Sequence, residues 1–509
     1  MKIKSISKEK VEVPGFDDVR NWYEKHLHPD ANSYDDQTVY EKVYHNGAFA
    51  GVFQCTSRGA QKLFTEAKPS SIVDIAVLTS IYRPGPLAAK VDQIYLDAKN
   101  HGKKFDWGHP LFDKVLGPTY NCLIFQESVM ALAEHIGGFP KEKCDDVRRA
   151  IMKRDLSKGD AAIKEAQKME DDFVAGAISK GITEATARKA YQNILWFAGY
   201  GFNRAHAVAY AIDSYMCAWL LTHYEEEWLC TYLESMSDNS EDRARAFSEA
   251  KNLGYSIKSV DINHSGREWT SINGQKTLVQ SFKTIKGVGE AAVNEIMLYR
   301  PYNSIEDLLW KQDGTWKHSK FNKKSFENLI KTFSFDSMNI VGEDKLFKNY
   351  KQMYHVIIEH YDQLKKKNGK DLLYKLIKET SDIEDWGFNE KIQMQLELIG
   401  DINVLNYINP ETIQKLKDKG IESLSETDFE DSNKKITWFL VMSSNSAKTK
   451  NGKQYTQLMI SGADGKQHKV FAWGIIDPND VPAGRAYVAE LEKTQFGLSL
   501  QGKKIKELL

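Results

Sequence analysis

A multidomain, predominantly α-helical chain that ends in a small β-barrel is the fold class predicted here. Apolar residues recur at helical spacing from about residue 51 to residue 235. Five short runs of strand-forming residues crowd into roughly the last eighty positions. The 509 residues exceed what one hydrophobic core organises, and length alone suggests roughly three or four domains.

Residues 1–50 are polar and mixed, and read as a loosely attached lead-in with short helices. After Gln126-Glu127, Val129, Leu132, Ala133 and Ile136 fall at i, i+3, i+4 and i+7, one face of a helix. Ala187, Ala190, Tyr191, Ile194 and Leu195 repeat that face behind an N-cap at Thr183. A third apolar helix spans about 208–224. Turns fall at Pro84-Gly85-Pro86, Gly137-Gly138 and Gly199-Tyr200-Gly201. Shorter helices and a Lys286-Gly287-Val288-Gly289 turn occupy 236–345, and Lys- and Glu-rich helices occupy 346–430. The terminal runs 436–442, 454–461, 468–473, 485–491 and 495–501 suit a five-stranded barrel of the oligonucleotide-binding type (OB-fold).

The composition, 41% hydrophobic and 27% charged, is that of a globular protein, and no apolar run is long enough for a membrane span. The polar N-terminus does not read as a secretory signal. Five scattered cysteines without a C-x-x-C pair argue against zinc and disulfides, and fit a reducing cytoplasm. A net charge of −1 does not exclude nucleic acid, because phosphate contacts depend on local charge. Basic residues cluster at 148–158 and 434–453, and acidic ones at 225–227 and 426–431.

Four segments carry candidate chemistry. In Val147-Arg148-Arg149-Ala150-Ile151-Met152-Lys153-Arg154, helical spacing puts Arg149 and Lys153 on one face with Arg148 beside them. That group can clamp a triphosphate, or be a solvated basic face. Tyr82-Arg83-Pro84-Gly85-Pro86-Leu87 holds Arg83 at a proline-stiffened corner, either for binding or as a plain turn. In Phe197–His206, aromatic rings can stack on a base while Asn203, Arg204 and His206 offer hydrogen bonds. The same pattern equally describes a buried helix–helix turn with His206 satisfied internally. Phe282–Ala292 reads as a helix-hairpin-helix element. There Gly287 and Gly289 allow a tight turn that exposes backbone N–H groups to phosphate, and Lys283 and Lys286 add charge. On the barrel, Trp438, Tyr455, Phe471 and Trp473 lie on predicted strands near Lys448, Lys450 and Lys453. Strand alternation sends about half of these aromatics into the core.

GVFQCTSRGAQKL, YRPGPL, YNCLIFQESVM, VRRAIMKRD, FAGYGFNRAHAVAYA and IKGVGEAA occur in that order ahead of the barrel. Together they resemble the bacterial C-family replicative DNA polymerases, the DNA polymerase III alpha subunits. The resemblance implies a lead-in at 1–50, fingers at 51–270, a duplex-holding helix-hairpin-helix region at 271–345, a helical connector at 346–430 and an OB-fold at 431–509. It implies that Arg83, Arg148, Arg149 and Lys153 contact the triphosphate of an incoming dNTP. Asn203, Arg204 and His206 would lie close to the active site, and the barrel would meet single-stranded template.

Departures from the family pattern are Thr56 in place of Glu, Met152 in place of Gly, and Arg204-Ala205 in place of Lys-Ser. Polymerases transfer nucleotides with carboxylates that hold two metal ions about 4 Å apart. Asp35-Asp36, Asp145-Asp146 and Asp171-Asp172 are adjacent pairs whose side chains diverge, and none reads as the family's D-x-D strand. The expectation is therefore a split polymerase. Its Mg2+ would be held by a separate polypeptide bearing the palm and phosphoesterase-like domains, and this chain alone would hold no metal and be inactive. An exposed apolar surface would be expected where fingers meet palm. The Lys-, Asn- and Tyr-rich composition suggests a bacteriophage gene acting in its host's cytoplasm. The alternative is a non-catalytic DNA-binding accessory descended from a polymerase. Gln395-Leu396-Glu397-Leu398-Ile399 approaches a sliding-clamp-binding peptide, but it reads first as an ordinary helix because Ile stands where Phe would anchor.

Overall fold

Two units divide the chain, one formed by residues 9–225 and the other by residues 226–509. The computed structural model describes residues 15–152, 160–236, 240–272, 274–399 and 410–508. In the last stretch it omits 426, 428, 430–431, 450–451, 464–466, 476 and 496.

The first unit is helical. Helices Gln126–His135 and Glu184–Ala198 bury the faces read from their spacing, and Val129, Leu132, Ala133, Ile136, Ala187, Ala190, Tyr191 and Ile194 share one core. Thr183 caps the second helix through its hydroxyl, which accepts the Thr186 N–H at 3.3 Å. The third apolar helix runs from Arg204 to His223 and packs on helix Ile72–Ile81, which is mostly apolar but carries the buried Asp74. Gly137 is less a free turn than a packing site. A Cβ on Gly176, in helix Asp160–Ser179, would fall on the Gly137 carbonyl, so only glycine lets the two backbones meet.

The lead-in is not loose throughout. Tyr40 and Tyr44 are fully buried, their rings 5.4 Å from Tyr215 and 5.6 Å from Phe64 respectively. Aromatic burial of this size outweighs the polar residues around it. Upstream of it, helix Phe16–His26 leaves Phe16, 81% accessible, and Val19 exposed.

In the second unit, strands β1 (Ser256–Lys258), β2 (Thr270–Ile272) and β3 (Thr277–Val279) form a small sheet in the order β1-β3-β2 that periodicity did not reveal. Three-residue strands are too short for alternation to register. Residues 260 to 399 then share one core, which includes Phe282, Ile285, Val288, Phe326, Phe335, Tyr361 and Ile399. Gln395 is buried on helix Phe388–Leu398, as the ordinary-helix reading has it.

The terminal barrel follows the short strand β4 (Glu422–Ser423). Its staves are β5 (Lys434–Lys448), β6 (Gln454–Ser461), β7 (Gln467–Trp473), β8 (Ala486–Thr494) and β9 (Gly497–Leu508). The order β5-β6-β7-β9-β8 closes through β5–β8 pairing, with β7 and β9 parallel. The first and last staves outrun the predicted runs because their ends lose apolar alternation while keeping the backbone ladder.

Candidate functional site

Four segments distant in sequence meet in the first unit. The FAGYGFN turn lies beside Ile124–Gln126 like a short parallel ladder. Phe202 N–H donates to Ile124 O at 3.0 Å, and Gln126 N–H donates to Phe202 O at 2.9 Å. Gln126 extends the join through its side chain, whose Nε2 donates to Gly201 O at 3.3 Å and whose Oε1 accepts from Arg148 Nη1 at 3.2 Å. Glu127 fastens the start of helix Arg204–His223 by accepting from Asn203 Nδ2 at 3.0 Å and the Arg204 N–H at 2.8 Å. Asn203 Oδ1 in turn caps that helix through the His206 N–H at 2.8 Å.

Arg83 leans onto the same turn. Its Nη2 donates to Tyr200 O at 2.9 Å, its Nε to Ser80 O at 2.7 Å, and its guanidinium lies 4.5 Å from the Phe202 ring centre. Partial burial lowers its pKa from the usual guanidinium value. Arg148 and Arg149 occupy helix Cys144–Met152 but differ in setting. The Arg148 side chain is 18% accessible and tied to Asp145 and Gln126, whereas that of Arg149 is 59% accessible. Lys153 lies outside the described residues.

Arg204 stands 5.8 Å over Phe125. His206 is exposed, so of its two sequence readings the internally satisfied one does not hold. As the third residue of its helix it points out with the first turn, its ring 4.1 Å from Tyr210 and 5.4 Å from Phe202. The assembly is thus a rim of cations and half-exposed aromatics above a hydrogen-bonded base. Gln126, Glu127 and Asp145 were missed as site residues. Only the i, i+3 and i, i+4 spacing of Asp145 to the arginines signalled any of them.

In the second unit, the first helix of the helix-hairpin-helix element is a single 3-10 turn, Phe282–Thr284, and the last is Glu290–Tyr299. Asn328 Nδ2 donates to Lys286 O at 2.6 Å and Ser325 Oγ to Gly287 O at 3.3 Å, which leaves Lys286, Gly287 and Gly289 exposed. Lys283 pairs with Glu268 at 3.1 Å and Glu234 at 3.7 Å, and those carboxylates raise its pKa. Its charge is therefore partly spent within the protein.

The two glycines should respond unequally to alanine. Gly287 has φ +79°, and an added Cβ would sit 2.8 Å from Asn328 Nδ2, whereas Gly289 has φ −79° and open space. In denaturant unfolding Gly287→Ala is expected to cost about 1–2 kcal/mol and Gly289→Ala less than about 0.5 kcal/mol. Equal losses would mean that the turn does not depend on the left-handed residue.

On the barrel, Trp438 is buried in a small core with Leu416, Leu440 and Met442. The β6–β7 register pairs Thr456 with Ala472, both buried, so Tyr455, Phe471 and Trp473 share the outer face. Tyr455 is 4.9 Å from Trp473 and 5.7 Å from Phe471, ring centre to ring centre. The ammonium of Lys453 lies 5.0 Å over Trp473, and that of Lys469 lies 5.4 Å over Phe471. Lys448 is exposed at the end of β5, and Lys450 lies outside the described residues. Among the described residues, no group of three or more His, Cys, Asp or Glu is placed to hold a metal ion, and no helix is long and apolar enough to cross a membrane.

The chain thus carries a cationic helical rim, an exposed glycine hairpin and an OB-type barrel. Residues 15–181 match the bacterial DNA polymerase III alpha subunit finger domain, and residues 254–344 match the helix-hairpin-helix motif. Similar proteins named DNA polymerase III subunit alpha occur in Campylobacter jejuni (29% identical, covering 81% of this chain and 35% of that protein) and Borreliella burgdorferi (32% identical, covering 70% and 30%). The one from Aquifex aeolicus is 34% identical over 59% of this chain and 25% of its own length. The chain belongs to the DNA polymerase III alpha family, corresponding to its fingers, helix-hairpin-helix and barrel part. It spans between a quarter and about a third of the length of these relatives.

Proposed function

We propose that this chain grips the incoming dNTP and holds primer-template DNA during template-directed DNA synthesis in the cytoplasm, as part of a DNA-directed DNA polymerase. The observation that carries this reading is the meeting of Arg83, Arg148, Asn203, Arg204 and His206 around one turn, with the exposed Arg149 next to Arg148 on its helix. Exposed guanidinium groups there suit a triphosphate, and the aromatic rings beside them suit a base. Lys286, Gly287 and Gly289 hold duplex through backbone phosphates, and the outer face of the barrel holds single-stranded template.

The finer form of the proposal is a split enzyme, in which a separate palm-bearing polypeptide supplies the carboxylates and Mg2+ for phosphoryl transfer. No step on this chain's own residues passes through that metal. Their work is to bind, orient and hold charge. The exposed Phe16 and Val19 on helix Phe16–His26 support a partner surface.

One observation favours the rival reading of a non-catalytic DNA-binding accessory: Arg83 and Arg148 spend donors on internal acceptors. Native capture followed by primer extension separates the two. Co-purification of a palm-bearing polypeptide with extension activity is expected, and Arg149→Ala should raise the KM for dNTP roughly 10- to 100-fold. DNA binding without extension, or an Arg149→Ala variant with unchanged kinetics, leaves the accessory reading standing.

A further inference from the structure

Asp145 joins the two arginines of the rim. Its Oδ1 accepts from Arg148 Nε and Nη2, both at 2.8 Å, and its Oδ2 lies 2.7 Å from Arg149 Nη2. Hydrogen bonds and charge from Arg148, with Arg149 adding to them, hold its carboxyl below the usual range, so it is an anion at neutral pH. The two arginines are not equivalent around it. Arg148 is a strut, bonded on one edge to Asp145 and through Nη1 to Gln126, which itself reaches Gly201. Arg149 is mostly exposed and is the group a ligand meets first.

From this geometry we infer that Asp145 is a built-in counter-anion, which reserves the arginine pair for a polyanion and keeps singly charged DNA phosphates off it. The inference deepens the nucleotide-site reading above and rests on it.

The physical reason is a competition between anions. A carboxylate already in place on the same helix needs no translational entropy to stay bound, so a backbone phosphodiester of equal charge gains nothing by displacing it. A triphosphate brings several charges to the same two guanidiniums and does displace or share it. An exposed ion pair one helical turn long does little to orient Arg149. Repulsion of the ligand is therefore the larger of the two effects of Asp145. Asp145 is in this sense a specificity-determining residue, acting through Arg148 and Arg149.

The test uses the full chain, with inorganic tripolyphosphate and a short oligothymidine as probes in isothermal titration calorimetry. Wild type is expected to bind tripolyphosphate without competition from oligothymidine at that site. Asp145→Asn is expected to bind tripolyphosphate roughly three- to tenfold more tightly and to let oligothymidine compete for it. Arg149→Ala should weaken tripolyphosphate binding in both backgrounds. Asp145→Ser, which also removes the charge but keeps a small polar side chain, should behave like Asp145→Asn, and thermal unfolding of each variant checks the fold. If neutralising Asp145 leaves binding unchanged or weaker while Arg149→Ala abolishes it, the counter-anion role is wrong and the nucleotide site stands. If no form binds tripolyphosphate, or Arg149→Ala has no effect, both ideas fall together.

Discussion

Replacing Asp74 by alanine is expected to cost the first unit about 3–5 kcal/mol, the largest stability loss of the substitutions considered. Asp74 is 3% accessible and accepts from Tyr95 Oη at 2.8 Å, Lys99 Nζ at 3.0 Å and the Ser70 N–H at 3.0 Å. The ammonium of Lys99 is nearly as buried, with Tyr120 Oη at 3.3 Å and the Tyr120 ring at 5.2 Å as its other neighbours. Removing the carboxylate leaves a desolvated cation with only a hydroxyl and a ring face to solvate it. The midpoint of thermal unfolding should fall by roughly 6–20 °C. Adding Lys99→Met to Asp74→Ala should recover most of the loss, because the uncompensated charge, rather than the pair's attraction, dominates it. A double variant as unstable as the single would show that packing around Asp74, not charge burial, carries the stability.

Single-stranded DNA binding should fall steeply when the aromatic row of the barrel is shortened. Trp473→Ala and Tyr455→Ala are each expected to cost about 1–3 kcal/mol toward a short oligothymidine, or roughly 5- to 150-fold in Kd. Both rings stand on the outer face with Lys453 over Trp473, so alanine removes a stacking surface without opening the core. The mechanism has a signature in salt. Loss of a ring should lower affinity equally at low and high ionic strength. Lys453→Ala should instead shallow the dependence of log K on log salt by about 0.7 for one phosphate contact. Fluorescence anisotropy across a salt series measures both, with circular dichroism to verify the barrel. Unchanged affinity in both aromatic variants would remove single-strand stacking from this face.

Much of the organisation is legible from local pattern. The helix around Val129–Ile136, the Thr183 cap and the barrel staves all follow from periods and caps that neighbouring residues impose on one another. The sheet β1–β3 is not legible, because three residues per strand leave no alternation to read. Nor is the burial of Tyr40 and Tyr44, whose partners Tyr215 and Phe64 lie elsewhere in the chain.

The candidate site divides along the same line. The amino-acid sequence by itself determined which chemistry is present: guanidiniums on a short helix, hydrogen-bonding side chains at an aromatic turn, glycines at a hairpin, and aromatics and lysines on a barrel. Only the tertiary structure decided how each is used. Arg148 became a strut and Arg149 stayed open because Gln126, more than twenty positions upstream, and Gly201, more than fifty downstream, converge on one side of their helix. Trp438 went into a core while Tyr455, Phe471 and Trp473 stayed out, because closing the barrel gave each strand an inside and an outside. Helical or strand spacing says which side chains share a face. What that face meets depends on segments far away in the chain, whose approach is set by the packing of the whole unit.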